Sequence, residues 1–157
     1  MLTTILTLLL SAATAFPSAS QTGWMRPESF RLTIGMSRAD AVRTLSDGGW
    51  QVKQGKKADE MLVDYTDERA LTLEFQKERL KSVRFELFSF LPEVRKAFAE
   101  EKQFLTKTLG QPKKGTKSVL IYDDRLPNVI VVLSDDPKSE NGQKGVGFMA
   151  VRYFDPR

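Results

Sequence analysis

Residues 70–88 constrain the fold most. Leu71, Leu73 and Phe75 alternate with Thr72, Glu74 and Gln76, and Val83, Phe85 and Leu87 alternate with Arg84 and Glu86. Successive side chains of a strand point to opposite faces, so each run offers one apolar and one polar side. Two such runs joined by a few charged residues predict an antiparallel hairpin. The connection lacks the Asn-Gly pair that would fix its turn type. An apolar sheet face has to be covered, and helical patterns stand on both sides of the hairpin.

The first helix is predicted at about 37–46. Ser37 and Asp40 have the spacing of a capping box, Ala39, Val42 and Leu45 follow at helical intervals, and Gly48-Gly49 ends the run. Trp50 is expected to plug the seam between helix and sheet. The second helix opens at Leu91-Pro92, carries Leu91, Val94, Phe98, Leu105 and Leu109 on one stripe, and stops at Gly110 and Pro112. Residues 21–29 read as a flexible lead-in, and Phe30, Leu32 and Ile34 as a short strand or extended stretch. Further strands are predicted at 60–66, 118–123, 128–134 and 146–154, with polar basic loops at 51–59 and 113–117. Two αβββ units, 30–90 and 91–157, follow from this order. Side by side they make one α+β domain: an antiparallel sheet of about six strands with both helices on one face.

Composition narrows the chemistry. The chain is 41% hydrophobic and 28% charged, as an ordinary globular protein is. It has no histidine and no cysteine. Ser-His and Cys-His catalysis, disulfides and the usual zinc sites are therefore excluded, and no enzyme is expected. The net charge of +4 is spread over interleaved acidic and basic residues. That suits solubility better than nucleic-acid binding. Residues 1–15 form an apolar run followed by small residues, too short for a span of about 20 residues and right for the core of an export signal. Cleavage is expected near Ala15 or Ser20, which places the mature chain in a periplasm or outside the cell.

Ile34-Gly35-Met36-Ser37 with Val42 and Leu45, then Tyr65-Thr66-Asp67, Leu71-Thr72-Leu73-Glu74-Phe75 and Leu80-Lys81-Ser82-Val83, resemble a known family. It is that of small exported proteins with a β-lactamase-inhibitor-like fold, which includes the small outer-membrane lipoprotein of the barrel-assembly machinery. The resemblance covers about 30–88 and, more loosely, 91–154. It implies a protein-binding role on the open side of the sheet. The chain departs from the family in having neither the lipid-carrying cysteine nor the inhibitors' disulfides.

The second-half strands are apolar on both sides, and helices cover only one. Tyr122, Ile130, Val132, Met149 and Tyr153 are accordingly the candidate partner-binding patch, for another protein or for a second copy. Lys53, Lys56 and Lys57 in one basic loop and Lys113, Lys114 and Lys117 in the other are expected near one sheet end, where they offer weak contact to an anionic surface. Asp123-Asp124 and Asp135-Asp136, with Glu140 and Asn141, read as turn residues, since no glycine-spaced calcium loop surrounds them. Gly142–Gly147 precedes a strand, the wrong context for a phosphate cradle. No catalytic, cofactor or metal residue is assigned.

Overall fold

The computed structural model describes residues 22–63, 66–123, 130–136 and 145–157, with 123 and 130–136 described by their backbone. The elements run α1 (Arg38–Asp47), β1 (Val52–Gln54), β2 (Glu60–Val63), β3 (Arg69–Gln76), β4 (Arg79–Phe90), α2 (Leu91–Leu109), β5 (Lys114–Gly115), β6 (Val119–Asp123), β7 (Ile130–Asp136) and β8 (Val146–Phe154). All strands join one antiparallel sheet in the order β1-β2-β3-β4-β8-β7-β6-β5. Each half is a helix followed by a meander, and the halves meet where β4 pairs with β8, from Ser82↔Phe154 to Phe90↔Val146. The fold is α+β as predicted, but among the described residues the sheet has eight strands where about six were expected. The two extra strands, β1 and β5, fall in the stretches read as loops. They are short, polar and held by backbone pairing, so side-chain alternation does not reveal them.

The hairpin forms as predicted. Leu71 pairs with Phe85 and Leu73 with Val83, and all four are buried. Its turn is Lys77-Glu78, with φ of 49° and 59°. Two consecutive left-handed residues make a primed turn without the glycine or asparagine that such turns favour. The first residue of α1 braces it: the Arg38 N–H donates to the Glu78 carbonyl at 2.9 Å. Ser37 caps α1, its hydroxyl accepting from the Asp40 N–H at 3.1 Å.

Both helices cover the face that carries Val83, Phe85 and Leu87. Ala41 and Leu45 of α1 and Val94, Ala97 and Leu105 of α2 are buried against it. Gly147 marks the closest approach of α2, because a Cβ there would lie 3.1 Å from Leu91 Cδ1 and 3.2 Å from Val94 Cβ.

Residues 22–32 are not a flexible lead-in, and Phe30 and Leu32 are not in a strand. The segment carries a 3-10 turn (Pro27–Phe30) and buries Trp24, Met25, Phe30 and Leu32. Trp24 meets Phe85 edge-on at 6.0 Å, and Phe30 lies 5.8 Å from Phe85 and 5.2 Å from Trp50. The Tyr153 hydroxyl donates to the Met25 carbonyl at 3.3 Å. This segment, packed beside the helices, covers the aromatic centre of the sheet.

Candidate functional site: the uncovered sheet face

The five predicted patch residues do not share a face. Tyr122, Met149 and Tyr153 are buried on the helix side. The Tyr122 hydroxyl lies 3.2 Å from the Thr106 hydroxyl of α2. Ile130 pairs with Phe154 and Val132 with Arg152, register positions of the opposite parity. The correction comes from the β4–β8 register, which sets Tyr153 across from Val83 and Met149 across from Leu87. In strands apolar on both sides, alternation separates two sets of residues without saying which set the helices take.

The uncovered face of the second half is built from other residues. Phe88 and Phe90 of β4 and Val119 of β6 are 39%, 67% and 38% exposed. Phe88 stacks on Phe148 of β8, with ring centroids 5.0 Å apart and planes tilted by 46°. Val146 and Ile121 are half-buried on the same side. Phe88 and Phe90 were legible in the sequence. The outward positions of β4 run Arg84, Glu86, Phe88, Phe90, so the polar face turns aromatic for its last two steps.

The centre of this face carries an internally paired polar group. Arg152 donates to the Ser82 hydroxyl at 2.8 Å and to the Glu74 carboxylate at 2.5 Å. Arg84 pairs with Glu86 at 3.2 Å. Arg84 and Arg152 stand directly opposite each other. Like charges in that position repel, and the two carboxylates offset the repulsion. The face thus has exposed aromatic residues at one end of β4 and a charge-balanced group around Arg84 and Arg152.

The basic loops do not converge. Lys53 lies in β1, and Lys113, Lys114 and Lys117 lie in or beside β5, so the two groups flank opposite edges of the sheet. Joining the halves through their last strands sends their first strands outward. Among the described residues no group of three acidic residues is placed to hold a metal ion. Asp124, Glu140, Asn141 and the stretch 142–144 lie outside the described residues, as do residues 1–20. No helix among the described residues is long and apolar enough to cross a membrane.

These features define the class: an α+β protein with one sheet face covered by helices and the other left uncovered by the described residues. No family model matches the chain, and neither a curated protein nor a solved structure matches it. A functional reading therefore rests on the site's own geometry.

Proposed function

We propose that this is an exported, non-enzymatic module that binds another protein through the apolar end of its uncovered sheet face. The observation that supports it is the aromatic group Phe88, Phe90 and Phe148, in which Phe88 and Phe90 are 39% and 67% exposed and Phe88 packs on Phe148. Soluble monomers rarely leave large aromatic side chains bare in a cluster, and aromatic anchors dominate interface energies. The apolar run at 1–15 supports export, and the lack of histidine and cysteine supports the non-enzymatic reading. The inhibitor-like resemblance suggests an envelope accessory or an inhibitor of an extracytoplasmic enzyme.

The test compares wild type with the Phe88→Ser/Phe90→Ser double variant. Size-exclusion with light scattering reads the oligomeric state, and cross-linked capture from envelope extract reads partners. A captured protein lost by the variant is the expected result. A wild-type dimer that the variant dissociates would replace the heterologous partner with a second copy. A monomer whose captured proteins are unchanged in the variant overturns the reading.

A further inference from the structure

The buried stripe of α2 includes a carboxylate that nothing on the uncovered face uses. Val94, Ala97 and Leu105 are apolar, but Glu101 sits among them with no exposed surface. Among the described residues Arg26 of the N-terminal segment is its cationic partner, Nη2 donating to Oε2 at 3.3 Å. The Arg26 guanidinium lies 3.5 Å above the Phe104 ring. Glu101 Oε1 is buried without a hydrogen-bond partner.

We propose that Glu101 and Arg26 form a pH-dependent latch, which closes residues 22–30 over α2 most tightly in acid and loosens as the pH rises. A protonated carboxyl tolerates this site. An ionised one has lost its water and has only the Arg26 guanidinium and the Thr22 hydroxyl beside it in return. Lifting the segment removes Arg26 and Thr22 from above Glu101 and lets water reach it, releasing its proton to solvent at neutral pH. Burial pushes the closed-state pKa from 4.5 to about 7, although Arg26 pulls it down.

Several other charged and polar groups surround the latch. Arg69 of β3 lies 5.2 Å from the Trp24 ring, and β8 and β6 contribute the phenols of Tyr153 and Tyr122. The helix-side positions Val83, Phe85 and Leu87 of β4 are apolar. Glu100 adds a like charge beside Glu101. In backbone register, β7 has Asp135 across from Met149.

Opening should be independent of pH below the ordinary carboxyl range. It should rise about tenfold per unit through the window and level off above about 7, by roughly a hundredfold in all. Hydrogen exchange tests this at the amides of Met25, Ser29, Arg31 and Leu32, which are bonded within the segment. Rates are corrected for intrinsic exchange and referred to the same amides in Glu101→Gln. Wild type should lose protection in the segment between about pH 5 and about pH 8, and Glu101→Gln should stay protected throughout. A pH-independent wild type, or the same slope in Glu101→Gln, overturns the latch. Carbon-13 NMR titration of the Glu101 carboxyl in wild type gives a reading that needs no variant. A midpoint near 7 supports the latch, and an ordinary carboxyl midpoint sinks it.

Discussion

At the scale of single residues, burial decides cost. Phe85 is fully buried and touched by Trp24, Phe30 and Tyr153. Phe85→Ala should therefore cost about 3–5 kcal/mol in urea unfolding. Phe90 is two-thirds exposed, so Phe90→Ala should move stability by no more than about 0.5 kcal/mol. Equal costs would mean that the two faces of β4 have been exchanged. Glu101 has the reverse of the usual carboxylate behaviour. Its folded pKa is raised from 4.5 to about 7, so between those values the folded protein binds more protons than the unfolded chain. Its contribution is most favourable below the lower value and is lost as pH rises through the upper one, by about 3 kcal/mol. The stability difference between wild type and Glu101→Gln, measured by urea at about pH 5 and about pH 8, should change by an amount of that order.

At the scale of elements, local geometry sets the sign of a change. Lys77 and Glu78 both hold left-handed backbone, which costs roughly 1–2 kcal/mol per non-glycine residue. Lys77→Asn/Glu78→Gly should raise stability by about 1 kcal/mol, after discounting glycine's extra freedom in the unfolded chain. Glu78 gives up little in the exchange, since its 3.7 Å contact to Arg38 lies at the surface. A loss in thermal unfolding would show that the contacts to Arg38 matter more than the backbone strain. Gly147→Ala goes the other way. The new Cβ meets Val94 Cβ at 3.2 Å, an atom fixed to the helix backbone, so β8 and α2 must separate slightly. A cost of about 1–3 kcal/mol is expected.

At the scale of the whole molecule, the β4–β8 seam makes one sheet of two meanders and sends the basic stretches to its far edges. Seven interstrand steps of about 4.8 Å place the edges roughly 30 Å apart, well beyond a screening length of about 8 Å in physiological salt. Neutralising Lys56 and Lys57 at one edge and Lys113 and Lys114 at the other should therefore change stability additively, within about 0.5 kcal/mol. Coupling larger than that would require a shorter path between the edges than the strand order allows. The same seam determines which apolar positions of the second half lie under α2.

The sequence alone determined the hairpin, both helices with their starts and stops, and the loss of histidine- and cysteine-based chemistry. Each of these depends on residues close together in the chain, or on residue types the chain lacks. Ser37 with Asp40, Leu91-Pro92 and the alternation at 71–87 need no distant partner to be read. Only the tertiary structure decided that Tyr122, Met149 and Tyr153 lie inside. It also decided that Trp24 and Met25 are core, and that Glu101 is the polar member of a buried stripe. These depend on cross-strand register and on which segment covers which face. Period-two alternation is symmetric between the two faces, and long-range pairing breaks that symmetry.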